Sequence, residues 1–187
     1  MSDRMHCFTL KHTGRARVLH TPVTLALPSL DFTSPKFQTR CIWDTGASGT
    51  VITQNVIDAL GLKPTGQTTI NTASERNKIS DTYEVDIFLS DSLVFQTITV
   101  TLGVIIEGID CLLGMDIIGT GDLSVTNYNG NTCMSFRHPS MHEIDFAKEK
   151  TLGLSKAQAK KFAEPAKNAP CYCGSGKIYK RCHGKGK

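Results

Sequence analysis

One carboxylate in this chain stands in a setting suited to catalysis. Residues 41–48 read Cys-Ile-Trp-Asp-Thr-Gly-Ala-Ser, so an apolar strand delivers Asp44 onto a tight turn. Gly46 lets the backbone turn sharply and lets another group approach closely. The hydroxyls of Thr45 and Ser48 can orient neighbouring groups through hydrogen bonds. The segment therefore predicts a catalytic acid with a fixed position.

The Asp-Thr-Gly triplet occurs once in the sequence. Activation of water by carboxylates needs two of them, one protonated and one ionised. Two Asp44 side chains from two chains, facing each other across a two-fold axis, would share one proton because both cannot ionise cheaply. The sequence thus predicts a homodimer that activates water without a covalent intermediate. The alternative is a turn in which Asp44 only caps the backbone.

Asp116 and Asp122 are rival candidates for a second catalytic carboxylate within the same chain. Neither follows an apolar strand into Thr-Gly. Asp116 also stands where the first turn of a helix favours an acidic residue. We therefore predict structural roles for both carboxylates.

A second cluster of reactive side chains lies at the C-terminal end. Cys171, Cys173, Cys182 and His183 supply three thiolates and an imidazole within thirteen residues. Soft ligands in that number suit tetrahedral Zn²⁺, and a closed site with four protein ligands is structural. The segment 171–187 has few apolar residues, so bound metal would supply folding free energy that it lacks. A redox pair is the alternative, and nothing in the sequence calls for a metal in catalysis.

The elements that must position Asp44 are mostly strands. Alternating apolar residues and β-branched content predict strands, Asn129-Gly130 predicts a hairpin turn, and Gly61 predicts the end of a helix. The predicted strands are Arg17–Leu27, Thr39–Trp43, Thr68–Thr72, Asp81–Leu89, Leu93–Val104 and Leu123–Phe136, and the predicted helices are Thr53–Leu60, a short one from Met115 to Ile118, and a lysine-rich one at Thr151–Phe162. The sequence therefore predicts a mainly β domain with one or two short helices.

Charge divides the chain into two parts. The formal charge is +4 overall, but it is about −5 through Ala147 and about +9 from Lys148 onward. We predict a domain at 1–147, a basic helix and linker at 148–169, and a zinc-stabilised motif at 170–187. A basic tail is attracted to polyanions such as RNA or acidic lipid, although it can also be a solvated solubility handle.

Seven cysteines, four of them scattered singly before the tail, favour a reducing cytosol over a disulfide framework. No secretory signal is visible at the N-terminus. No stretch approaches the ~20 apolar residues of a membrane span. We therefore expect a cytoplasmic protein without a transmembrane segment.

The chain resembles the retropepsin-like aspartic proteases from about Thr21 to Arg137. The resemblance rests on the segment 43–48, on Leu112-Leu113-Gly114, and on a candidate flap at Ile70–Ser80. It implies an acid protease barrel with one Asp-Thr-Gly half-site per chain. It also implies specific roles: Asp44 as the catalytic carboxylate, Thr45 as the hydroxyl that grips its symmetry mate, Gly46 as a contact to substrate backbone, and the flap residues Ala73, Ser74 and Glu75 as substrate-binding.

The C-terminal cluster resembles the SEC-C motif, the zinc-binding tail of the SecA preprotein translocase. The matching residues are Cys171, Cys173, Ser175, Gly176, Lys180, Cys182 and His183. The resemblance implies a zinc module that docks a partner, and a bacterial origin. Protein, ribosome and acidic lipid all remain open as partners. The alternative to a protease is a peptide-binding or dimerisation module whose tail recruits one of these partners.

Overall fold

The chain divides into two compact units, Met1–His142 and Glu143–Lys187, and the described residues of the first form ten β-strands and two short α-helices. The computed structural model describes residues 5–29, 33–70, 76–146, 166–171, 176–182 and 184–185. The strands are β1 His6–His12, β2 His20–Ala26, β3 Lys36–Trp43, β4 Val51–Ile52, β5 Gly66–Ile70, β6 Lys78–Ser90, β7 Leu93–Leu102, β8 Cys111–Leu113, β9 Asp122–Thr126 and β10 Thr132–His138. The helices are α1 Gln54–Leu60 and α2 Met115–Ile118.

Six strands close into a barrel. Strand β2 pairs with β3 on one side and with β6 on the other, which completes the ring β2-β3-β8-β4-β7-β6, and β5 pairs with β6 outside the ring. Alternate side chains of these strands point inward and form the core. The fully buried ones include Leu25, Ile52, Val85, Ile87, Val100 and Leu113. The predicted mainly β fold with short helices is confirmed.

Strand β8 lies between two strands that are neighbours in the chain. It runs parallel to β3, with Trp43 beside Leu113, and antiparallel to β4, with Val51 beside Leu112. The carboxyl ends of β3 and β8 therefore lie side by side. This arrangement brings the turn after Trp43 next to the start of α2.

A separate three-stranded sheet has the order β1-β10-β9. One of its faces packs on the end of β3, because the ring centroids of Phe8 and Phe136 lie 5.9 Å and 4.9 Å from that of Trp43. The predicted hairpin about Asn129-Gly130 forms as β9 and β10. Strand β1 was not predicted, although its apolar residues Phe8 and Leu10 alternate with polar ones as in a strand.

The two helices were predicted correctly. Val56, Ile57 and Leu60 are the buried side chains of α1, and Gly61 ends the helix at φ 63°, a left-handed conformation that favours glycine. The flap candidate forms a β5–β6 hairpin, but its tip at 71–75 lies outside the described residues.

The second unit is described around a small backbone bridge. Pro170 pairs with Ile178, and the Cys171 N–H donates to Lys177 O at 2.8 Å. Tyr179 is buried, and Gly184 lies against its ring so closely that a Cβ there would come within 2.8 Å of it. The predicted helix at 151–162 lies outside the described residues, and the predicted domain limits at 147 and 169 stay predictions. None of the helices in the described ranges has the length and apolar character to cross a membrane.

Candidate active site

Asp44 is held by backbone hydrogen bonds from two neighbouring segments. Its N–H donates to Leu113 O at 3.0 Å, and the N–H of Trp43 donates to Leu19 O at 3.0 Å. The buried Trp43 indole also donates from Nε1 to Thr21 Oγ1 at 3.0 Å. The strand end is therefore fixed by backbone bonds, aromatic packing and an indole hydrogen bond.

The turn itself orients the Asp44 carboxylate. Oδ1 accepts the Gly46 N–H at 2.8 Å, and the Asp44 carbonyl accepts the Ala47 N–H at 3.2 Å. Asp44 is half-buried, whereas Thr45 and Gly46 are exposed. Among the described residues, neither Asp44 Oδ2 nor the Thr45 hydroxyl has a hydrogen-bond partner. The turn thus presents one oriented carboxylate oxygen and one hydroxyl to the exterior.

Helix α2 holds the far side of this turn. The Met115 N–H donates to Ala47 O at 2.8 Å. Asp116 accepts two hydrogen bonds of 2.9 Å from Thr50, one from its N–H and one from its hydroxyl. The Thr50 Oγ1 in turn accepts the Gly114 N–H at 3.3 Å. Asp116 therefore has the structural role that the sequence predicts, and it positions the loop that follows Asp44.

Gly114 makes the closest approach between these segments. A Cβ at this position would lie 2.5 Å from Gly49 O, which is too close for any side chain. The backbone of α2 can therefore reach the loop only with glycine at 114.

Asp110 fastens the opposite end of β8. Its carboxylate accepts hydrogen bonds from Thr53 Oγ1 at 2.7 Å, Thr39 Oγ1 at 2.8 Å and Asn55 Nδ2 at 3.0 Å. Burial alone would raise the pKa of Asp110, but these hydrogen bonds outweigh it and the pKa lies below its ordinary value. Asp110 is therefore an ionised clamp between β3, α1 and β8.

Asp122 is not part of the Asp44 site. Its carboxylate accepts hydrogen bonds from Ser140 Oγ at 2.6 Å and from the Met141 N–H at 2.9 Å, and it forms an ion pair with Arg137. These partners, Ser140 first, hold the pKa of Asp122 well below its ordinary value. The contacts fix the segment after β10, a structural role like the one predicted.

The part of the chain that carries Asp44 matches a known protein family. The family model described as "Aspartyl protease" matches residues 36–117, a range that contains Asp44, Gly114 and Asp116. The barrel is of the aspartyl protease type. The resemblance to retropepsin-like proteases and the fold predicted from it are thereby confirmed, with one half-site in the chain.

Two solved structures are similar to this chain. A retropepsin-like aspartic protease from Rickettsia conorii shares 20% identity at a TM-score of 0.41, over 72% of this chain and 96% of that one. The retroviral protease-like domain of Ddi1 from Leishmania major shares 13% identity at a TM-score of 0.38, over 70% of this chain and 99% of that one.

The SEC-C resemblance is also confirmed, because the SEC-C motif model matches residues 168–185. A segment of 34 residues is 59% identical to protein translocase subunit SecA of Variovorax paradoxus (strain S110). That segment is 18% of this chain and only 4% of SecA.

The four predicted zinc ligands are only partly described. Cys171 is buried and Cys182 half-buried within the second unit, whereas Cys173 and His183 lie outside the described residues. Consequently no group of three or more His, Cys, Asp or Glu side chains suited to a metal is found in the described ranges. The donors fit zinc chemically, because Cys171 and Cys182 are soft thiol ligands. In the described segments of this unit Tyr179 is the one large buried side chain, so bound metal would supply stability that apolar packing does not.

Two residues that position the Asp44 site were not found from the sequence. Thr50 and Asp110 carry the hydrogen bonds that fix the loop and β8, yet neither lies in the Asp-Thr-Gly signature. The signal available was a Thr six residues after Asp44 and an Asp directly before the apolar Cys111-Leu112-Leu113 run. The predicted substrate contacts of Ala73, Ser74 and Glu75 fall outside the described residues.

Proposed function

We propose that the protein is a homodimeric aspartic endopeptidase that hydrolyses peptide bonds with two Asp44 carboxylates, one from each protomer. The observation that carries the proposal is the Asp44 carboxylate itself. It is fixed through Oδ1 by the Gly46 N–H at 2.8 Å, and its chain segment is held by Leu113 and Leu19. Fixed geometry of this kind is what acid–base catalysis requires.

In the proposed mechanism the two carboxylates share one proton. The ionised carboxylate takes a proton from water as the water adds to the peptide carbonyl, and the protonated one donates its proton to the carbonyl oxygen, which gives a diol. The C–N bond of the diol then breaks as the amide nitrogen takes the proton that came from water, and the other carboxylate regains its proton from a diol hydroxyl. An amine and a carboxylic acid leave, and the shared proton is restored. Thr45 would join the two loops across the two-fold axis, and Gly46 would leave space for substrate backbone. Activity should therefore fall as pH rises and both carboxylates ionise.

The test compares wild-type protein with Asp44→Asn on a diverse peptide library over a pH series. We expect cleavage by the wild type and a loss of at least about 1,000-fold in Asp44→Asn, since removing an essential catalytic group has effects of that order. Asp91→Asn is the matched control, because Asp91 is an exposed aspartate on the β6–β7 turn. A folded dimer that cleaves nothing would instead favour the peptide-binding or dimerisation module.

For the second unit we propose a structural Zn²⁺ held by Cys171, Cys173, Cys182 and His183, with none used in catalysis. Bound zinc would cross-link the segments on either side of the Pro170–Ile178 bridge. The basic residues there would dock a protein, ribosomal or acidic-lipid partner. The scattered thiols, which form no disulfide in the described residues, support the cytoplasm as the site of action.

The zinc proposal is tested by metal analysis of purified protein. We expect about one zinc per chain in the wild type and a large loss in Cys182→Ser. Cys133→Ser is the control, because Cys133 is also a half-buried cysteine but lies in β10. Equal zinc content in all three proteins would contradict the assignment.

A further inference from the structure

Two histidines meet beside the strand that leads to Asp44. The ring centroids of His12, at the end of β1, and His20, at the start of β2, lie 5.7 Å apart with the rings nearly perpendicular. Arg40 Nη2, from β3, lies 2.7 Å from His20 Nε2 and 2.8 Å from His20 Nδ1. Three groups that can each carry a positive charge therefore form one continuous cluster.

The contacts of this cluster require neutral imidazoles. A guanidinium only donates hydrogen bonds, so Arg40 needs an unprotonated ring nitrogen on His20 as its acceptor. His12 Nε2 is buried and has no hydrogen-bond partner among the described residues. An imidazolium always carries an N–H at that position, and it would be buried there without an acceptor. Burial and the charges of Arg40 and His12 also lower the pKa of His20. Protonation of either ring therefore opposes the arrangement.

No carboxylate compensates a charge on these rings in the described surroundings. Residues 5–29 and 33–43, which contain β1, β2 and β3, have five Lys or Arg and no Asp or Glu. Arg15 and Arg17 lie in the segment between the two histidines, and the residue of β10 opposite His12 is the neutral Thr132. Asp110, which precedes β8, already accepts hydrogen bonds from three side chains. Protonated rings would thus face only neutral or positive groups.

His20 lies between the two residues that hold the strand end before Asp44. The Leu19 carbonyl accepts the Trp43 N–H, and the Thr21 hydroxyl accepts the Trp43 indole N–H, each at 3.0 Å. His20 itself is paired with β3 in the ladder. A displacement of the start of β2 therefore weakens both hydrogen bonds to Trp43 and releases the segment that carries Asp44.

We propose that His12, His20 and Arg40 form a pH-sensitive switch, in which protonation of the histidines repels Arg40, detaches the start of β2 and releases the Asp44 turn. The turn is ordered at neutral pH and loses its order below pH about 6.5, where histidines gain protons. The effect on activity rests on the proposed function. Activity would be confined to a pH window, because the shared proton is lost at high pH and the turn is released at low pH.

The chain contains its own reporter for this switch, because Trp43 is its only tryptophan. The experiment records Trp43 fluorescence of the full chain between about pH 8 and 4.5, and far-UV circular dichroism separates a local change from global unfolding. We expect a transition below pH about 6.5 in the wild type. It should be absent in His20→Gln. In Arg40→Gln it should move to higher pH, because loss of a neighbouring positive charge favours protonation.

His142→Gln is the matched control. His142 Nδ1 also lies 2.7 Å from an arginine nitrogen, Arg137 Nη2, but this pair lies at the end of β10 and beyond it. The variant should keep the wild-type transition. If His20→Gln does not fold, His12→Gln decides the question, because it removes the other ring of the pair.

A wild type without a transition overturns the switch, as does a transition that persists in both His20→Gln and His12→Gln or one that is lost in His142→Gln. Cleavage assays on the same samples separate this result from the proposed function. In the wild type kcat/KM should fall about tenfold per pH unit below the midpoint, and in His20→Gln it should stay level. Equal cleavage on both sides of the Trp43 transition overturns the link to Asp44. A transition in a protein that cleaves nothing supports the switch and contradicts the protease.

Discussion

Substitution of Gly114 by alanine tests how the site is assembled. The backbone at Gly114 has φ −94° and ψ −171°, which alanine adopts without strain. The added Cβ would nevertheless lie 2.5 Å from Gly49 O and 2.6 Å from Gly49 C, where ordinary contact begins at 3.4 Å. Any cost of the substitution is therefore steric and arises at the contact between α2 and the loop that follows Asp44.

The magnitude follows from that distance. Restoring ordinary contact requires the two backbones to separate by about 0.9 Å, from 2.5 to 3.4 Å. Overpacking of this kind costs about 1–3 kcal/mol. For a protein of this size that corresponds to a fall in Tm of roughly 3–10 °C. A displacement near 1 Å also lowers catalysis by about 100-fold, because reacting groups must be held closely.

The assay combines thermal unfolding with kcat/KM on a peptide substrate. Gly49→Ala is the matched control, because a Cβ at Gly49 would have nothing within 4 Å. We expect the control to unfold within about 2 °C of the wild type and Gly114→Ala to lose both stability and activity. If Gly114→Ala unfolds at the wild-type temperature, or if the two variants lose equally, the steric argument is refuted.

Further substitutions address Thr50 at this contact and two titratable residues elsewhere in the first unit. Thr50→Val should destabilise the protein by about 1–3 kcal/mol, because the hydroxyl donates to Asp116 and accepts from Gly114, whereas Thr50→Ser should retain most of the stability in urea titrations. Burial and the positive charges of Arg40 and His12 lower the pKa of His20, so the unfolded chain binds a proton at His20 more readily than the folded one. The contribution of His20 to stability should therefore be fully present above its unfolded pKa of about 6.5 and be lost as pH falls below it. In His20→Gln the Tm should vary less between about pH 5 and 8 than in the wild type. The pKa of Asp110 is lowered in the folded protein, so its contribution to stability is present above the unfolded pKa of about 3.9 and is lost as pH falls through the folded value. Acid unfolding of Asp110→Asn should lack this part of the pH dependence. An acid-unfolding midpoint equal to that of the wild type would contradict the assignment.

Much of the fold could be predicted from local sequence. The strand alternation of β6 and β7 and the apolar stripe of α1 with Gly61 at its end are local patterns, and they specify local structure. The Asp-Thr-Gly turn was predicted for the same reason, since its geometry depends on adjacent residues.

The remainder depends on pairings that no local pattern encodes. Strand β8 has only three residues and is recognised by its position between β3 and β4. The partners of Asp110, Thr39 and Thr53, lie 71 and 57 residues away in sequence. Asp110 and Thr50 were therefore missed as positioning residues, because neither belongs to a recognisable local motif. The tertiary fold, and no local pattern, determines which distant hydroxyl donates to an aspartate.

The position of β8 also determines when the Asp44 turn can form during synthesis of the chain. Strand β8, residues 111–113, pairs with β3 on one side and with β4 on the other. The ribosome synthesises β8 about 60 residues after β4. Until then Asp44 lacks the Leu113 carbonyl that accepts its N–H, and the loop after it lacks Gly114 and Asp116. Closing such a long loop is an entropically costly, late event in folding. A growing chain thus carries Asp44 on an unformed turn, and the proposed protease activity would begin only after synthesis of the barrel is complete.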